Sequence, residues 1–233
     1  MDLFKQQAFS LNDAGVAAYN KGEYEKSVEL FSQSLGITQE IFPMDSQEVG
    51  RVYKNLGLAY LKTKNYTEAV KIFGKAVGIY NAIYKTDVNL ESAKLLLDMG
   101  DCLYYLGQDE SAIQVYQKAA QIGFRLEGDR SEIGLKAKTY EGRSLYYSAK
   151  YDDAIKLLND ISERSLEALG RDSNVTLTAF NMLGRTWEKV AEKLKSKVSH
   201  DRYKDFIMCA ASGFANGGDE PKAKRLIDLY NNL

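Results

Sequence analysis

The sequence predicts an all-α fold: an α-solenoid of stacked antiparallel helix pairs, about five repeats with a C-terminal capping helix. Three observations predict it. Gly15, Gly57, Gly100, Gly142 and Gly184 recur in steps of 42, 43, 42 and 42 residues. A fixed period of this size marks supersecondary units stacked on one another rather than one globular core. Only two prolines occur in 233 residues, which leaves long helices unbroken. Finally, small and large apolar residues hold the same places in successive units.

The repeats fall near residues 8–44, 45–86, 87–128, 129–171 and 172–217, with a capping helix at 219–231, all within one expected domain, 1–233. In each repeat the glycine lies on the first helix, A. The second helix, B, offers Ser27, Ala69, Ala112 or Ala154, and one turn later Phe31, Phe73, Tyr116 or Leu158. Small residues are expected to bring A and B close, and the large ones to fill the space beside them. Gly22 and Gly107 suit a left-handed helix end. Asn65 and Lys150 lie in the corresponding turns of repeats two and four, where Ala149 stands in place of a turn glycine.

Helix A is predicted to start from Asp45/Ser46, Asp87, Asp129/Ser131 and Asp172/Ser173, all good N-cap residues. After Gly184 the pattern changes. Helix A5 is expected to run through Trp187 and Val190 to Leu194, and Ser199-His200-Asp201 to form a turn or cap. A helix carrying Tyr203, Phe206, Ile207, Ala210, Ala211 and Phe214 follows, and Asn216-Gly217-Gly218 stops it. Asp219-Glu220-Pro221 then opens the last helix, with Asp as cap and Pro in the first turn.

The totals exclude several functions. Thirty-one basic and 32 acidic residues give a net charge of −1, which argues against nucleic acid or anionic membranes as bulk partners. No run is long and apolar enough to span a bilayer. The stretch from Met1 to Gln7 lacks a basic segment followed by an apolar one, so a cytoplasmic location is expected. Cys102 and Cys209, both in apolar helical contexts, read as small buried residues. No metal site, cofactor motif or catalytic constellation is expected, and the lone His200 reads as an exposed turn residue.

Leu56-Gly57, Ala59-Tyr60, Tyr66, Ala69, Phe73 and Ala76 follow the tetratricopeptide repeat (TPR) pattern, which this chain closely resembles. The long period, with Glu167 to Val175 and Asn181 to Gly184, is similar to the extended arrays of kinesin light chains. The resemblance implies a right-handed superhelix and a non-catalytic adaptor that binds a peptide or a partner's helix on the concave face made by helices A. Carried over by position, that face holds Asn12, Tyr19, Arg51, Lys54, Lys62, Lys94, Asp101, Tyr104, Tyr105, Lys136, Arg143, Tyr146, Tyr147, Asn181 and Arg185. Eight basic residues there, Lys189 included, oppose only Asp101 and Glu188, so the groove is expected to be basic. The tyrosines add flat amphipathic surface suited to interface anchors. An acidic segment with an aromatic or apolar anchor is the favoured partner, with Asn12 and Asn181 holding its backbone. The alternative is an assembly subunit that self-associates through its ends or convex face, giving a homo-oligomer.

Overall fold

A computed structural model describes residues 2–233. Met1, the first residue of the stretch read as leaderless, lies outside them. Among the described residues there are eleven α-helices and no strand. The chain divides into two compact units, Met1–Leu126 and Glu127–Leu233.

The first unit contains three helix pairs: α1 (Asp2–Asn20) with α2 (Tyr24–Ile41), α3 (Gln47–Lys62) with α4 (Tyr66–Tyr84), and α5 (Leu90–Tyr105) with α6 (Asp109–Glu127). The second opens with a single 3-10 turn, Gly128–Arg130. It continues with α7 (Glu132–Tyr147), α8 (Tyr151–Leu169), α9 (Asn174–Leu194), α10 (His200–Asn216) and α11 (Glu220–Asn231).

The periodic glycines act through space rather than backbone freedom. A Cβ on Gly15, Gly57, Gly100 or Gly142 would lie 2.4–2.7 Å from the ring or branch of Phe31, Phe73, Tyr116 or Leu158. Those four side chains are buried to 1% exposure or less, wedged in the seam between A and B. Gly184 is used differently. Its Cβ would meet backbone, 2.8 Å from the Phe214 nitrogen and 3.0 Å from the Ala210 oxygen. In return, a Cβ on Gly213 would lie 2.5 Å from the Gly184 nitrogen. Helices α9 and α10 therefore cross backbone to backbone, which only glycine on both sides allows.

Four helix-A starts are capped at the same place in the repeat. Ser46, Asn89, Ser131 and Ser173 each accept a backbone N–H of the first turn, and each lies eleven residues before its glycine. Asp87 was the expected cap of α5. Asn89 takes the role because its amide oxygen accepts the Ser92 N–H at 2.8 Å, while Asp87 stays outside the helix. The turns after helix A also correct one expectation. The left-handed residues are Gly22, Lys64, Gly107 and Ala149, so Lys64 and not Asn65 takes the strained position in repeat two.

The same turn closes the chain. In each of the first four A–B connections a backbone N–H bonds the carbonyl five residues back, as Lys150 does to Leu145 at 2.9 Å. Asp219 bonds Phe214 in this way at 2.8 Å, with Gly218 left-handed between them. The final helix is thus joined to α10 by a repeat-type turn, and it buries Ala223 and Leu226. His200 is exposed but opens α10 rather than lying in the turn before it, and its Nε2 lies 2.9 Å from the Leu233 carbonyl oxygen. Cys102 is buried as expected, and burial pushes its thiol up to about 12. Cys209 is exposed, contrary to expectation. Phe206, Ile207, Ala210 and Phe214 take the inward face of α10, which leaves Cys209 and Met208 outside.

Candidate functional site

The predicted groove residues separate into structural ties and open positions. In the first unit, Asn12 is 3% exposed, and its amide oxygen accepts Asn55 Nδ2 from the next repeat at 3.0 Å. It ties α1 to α3 and is buried, with its amide oxygen engaged by the second asparagine. Asp101 accepts the Tyr116 hydroxyl at 2.7 Å and so anchors the ring that sits against Gly100. Tyr19 is half-buried, edge-on to Tyr24 at 5.4 Å. Tyr104 packs beside Tyr105, and Tyr105 stacks on Tyr66 at 5.0 Å while staying 56% exposed. Lys62 is exposed.

Lys54 bridges Glu91 at 2.9 Å, and Lys94 approaches the same carboxylate at 3.6 Å. Burial disfavours the charged forms of Lys54 and Glu91. Their mutual hydrogen bond and charge outweigh it, so Lys54 lies above and Glu91 below its ordinary value. Both line a cleft of about 680 Å³ with Phe9, Asp13, Glu48, Arg51 and Tyr84. The Arg51 guanidinium sits 5.7 Å from the Phe9 ring centroid. Asp13, Glu48 and Glu91 thus face Arg51 and Lys54, which makes this cleft mixed in charge rather than basic. Sequence reasoning missed these acids because none lies on the rows counted from the glycines.

In the second unit, Lys136 and Arg143 stand over the same ring, Tyr140, at 5.6 and 4.4 Å. Tyr146 meets Tyr147 and Tyr151 edge-on at 5.0 and 5.8 Å, and Tyr147 remains 50% exposed. Asn181 donates from Nδ2 to the Gly217 carbonyl at 2.5 Å and so caps the end of α10. It is committed to the fold, as Asn12 is.

The open surface lies beside it. A cleft of about 650 Å³ is lined by Tyr146, by Arg185, Glu188, Lys189 and Glu192 of α9, by Lys195, and by Tyr203 and Ile207 of α10. Lys222, Arg225, Leu226 and Leu229 of α11 complete it. Five cations therefore surround an apolar floor. The carboxylates nearby are already engaged: Glu188 by Arg225, Glu192 by Lys189 at 2.6 Å, and Asp219 by Lys222 at 2.5 Å. Arg185 and Lys195 have no ion-pair partner among the described residues, and the Lys195 ammonium stands 5.6 Å from the Tyr203 centroid. Burial raises the Tyr146 phenol above its ordinary value, with Lys189 and Arg185 pulling the other way, so it remains a neutral donor. Of the residues expected on the groove face, the structure brings Tyr146, Arg185, Glu188 and Lys189 into this cleft. The sequence assigns the α10 contributors to the fifth repeat and the α11 contributors to a capping helix, not to a groove. The signal that could have found them is the run of Lys222, Lys224 and Arg225 on a short amphipathic helix.

Among the described residues, no cluster of His, Cys, Asp or Glu could hold a metal ion, and no helix is long and apolar enough to cross a membrane.

The family model described as Tetratricopeptide repeat matches residues 6–82 and 48–123. No curated protein matches the chain in sequence. Among solved structures, the chain is similar to nearly identical TPR-like repeats from a Podosopora anserina protein described as a kinesin light chain. That match has a TM-score of 0.69 at 14% identity and covers 88% of this chain and 94% of the other. YrrB, described as a TPR protein with an unusual peptide-binding site, matches with a TM-score of 0.59 at 17% identity, covering 96% and 93%. Aspartyl phosphate phosphatase F from Bacillus subtilis matches with a TM-score of 0.63 at 16% identity. There the match covers 97% of this chain but 59% of the other. Likeness at this level of identity establishes the fold.

Proposed function

Because this chain belongs to the tetratricopeptide repeat family, we propose that it is a non-catalytic protein-binding module that takes an acidic segment with an apolar or aromatic anchor. The observation that carries this reading is the cleft of the second unit. Five cations line it against two acids, and Tyr146, Ile207, Leu226 and Leu229 supply apolar floor. The charge attracts and orients a partner, and the floor holds it. YrrB, described as having a peptide-binding site, supports a binding role for such a fold. The mixed charge of the first cleft gives no preference for acid there, so acidic recognition belongs to the second unit.

The test is binding of a fluorescein-labelled peptide containing glutamates and leucine, against a lysine-for-glutamate control. The acidic peptide should bind more tightly, weaken with added salt, and lose affinity when Arg185→Glu and Lys222→Glu are combined. Equal binding of the two peptides, or no effect of charge reversal in a variant with unchanged helicity, would remove the reading. A second reading is self-association, favoured by Leu3 and Phe4, which are 74% and 56% exposed on α1. Light scattering separates the two, since a chain that stays monomeric at high concentration rules self-association out.

A further inference from the structure

The cations of the second cleft are unevenly engaged. Along α9 the cleft-lining charges run Arg185, Glu188, Lys189, Glu192 and then Lys195, which caps the helix in a helical conformation. The middle of this row is balanced. Glu188 is bridged by Arg225 and Glu192 by Lys189, so each central carboxylate already holds a cation. The ends hold no direct bridge. Arg185 and Lys195 make no ion pair among the described residues, Arg185 acting on the Lys222-bridged Asp219 only through its longer-range charge, and Ile207 and Leu226, 3% exposed each, line the same cleft.

We propose that this cleft reads the spacing of acidic residues in its partner: two carboxylates separated by a short apolar stretch, one for Arg185 and one for Lys195. The inference rests on the function proposed above and specifies the ligand of that same site. Arg185 and Lys195 are ten positions apart. At about 1.5 Å per helical residue their backbones are separated by roughly 15 Å. An extended segment advances about 3.3 Å per residue, so the two acids should stand four or five positions apart. Residues between them lie over the apolar floor. An acid in that stretch meets ion pairs that are already complete, Glu188 with Arg225 and Glu192 with Lys189, and gains no partner there.

The experiment uses the full chain and three labelled peptides followed by fluorescence anisotropy. Two have the same composition, including two glutamates and two leucines. In the first, the glutamates stand five positions apart with the leucines between them. In the second, they are adjacent at the centre. The third replaces the glutamates with lysine. The spaced peptide should bind roughly tenfold more tightly than the clustered one. Arg185→Ala and Lys195→Ala should each weaken the spaced peptide roughly three- to fivefold, the scale of one solvent-exposed ion pair, and should reduce the advantage over the clustered peptide. Circular dichroism checks that both variants keep their helices. Equal affinity of the two acidic peptides, both above the lysine control, would overturn the spacing rule and leave the acidic preference standing. Acidic peptides that bind no better than the lysine control would overturn both.

Discussion

Gly57→Ala adds one methyl group to the seam between α3 and α4. Its carbon would stand 2.6 Å from Phe73 Cε1 and 2.7 Å from Cδ1. Comfortable carbon contacts begin near 3.5 Å, so about 1 Å of movement has to be found. Phe73 cannot supply it freely, since it is fully buried between Ala69 and Ala76, also at 0% exposure. Overpacking of this kind costs about 1–3 kcal/mol, and alanine returns about 1 kcal/mol of helix propensity, so the net loss is about 0–2 kcal/mol. Gly74→Ala, on the exposed face of α4, is the matched control. Nothing lies within 4 Å of its new Cβ. It keeps only the propensity gain and should stabilise the protein by about 0.5–1 kcal/mol. The same chemical change thus gives opposite signs on two facing helices. Urea unfolding followed by far-UV circular dichroism reads both, with the slope m checked for constancy. Gly57→Ala stabilising the protein as much as Gly74→Ala would refute the claim that the periodic glycines hold the seam open for a ring.

Three further outcomes are expected. Cys209 is exposed and Cys102 fully buried, so a disulfide reagent should modify one thiol quickly in the native protein and the second only after unfolding. Two fast thiols would contradict the burial of α5. Ala149 holds a left-handed backbone at φ 59, so Ala149→Gly should raise stability by about 0.5–1 kcal/mol in thermal melts. A loss there would show that the turn is not strained. Finally, Glu91 lies below its ordinary value in the folded chain, so its contribution is present above the unfolded carboxylate pKa and is lost as pH falls through the lower folded value. Lys54 lies above its ordinary value, so its contribution is complete below the unfolded lysine pKa and fades as pH rises through the folded one. The stability gap between wild type and Glu91→Gln should therefore be widest near neutral pH and close towards acid. A gap independent of pH down to the acid range would show that the bridge contributes nothing.

Particular residues show what was readable. Gly57 and Phe73 could be paired from sequence because their separation equals that of Gly15 and Phe31, and repetition makes a register visible. Ser46, Ser131 and Ser173 were readable as caps because capping is local chemistry within one turn. Asn12 and Asn181 were not readable as ties. Each was placed on the right helix, but its partner, Asn55 or Gly217, comes from another element tens of residues away. The acids of the first cleft lie off the rows counted from the glycines, and the α11 cations belong to a helix outside the repeats.

By itself, then, the sequence determined the helices, the serine caps of three of them, the A–B pairing and the small-against-large seam. All of these follow from helical periodicity and contacts a fixed number of residues apart. Only the tertiary structure decided which charges stay available. Whether a lysine is free or bridged depends on a carboxylate brought within a few ångströms by packing, as Glu91 is for Lys54 across 37 residues. That neutralised much of the groove anticipated in the first unit. It left Arg185 and Lys195 open in the second, where α10 and α11 fold back beside α9 to wall a cleft.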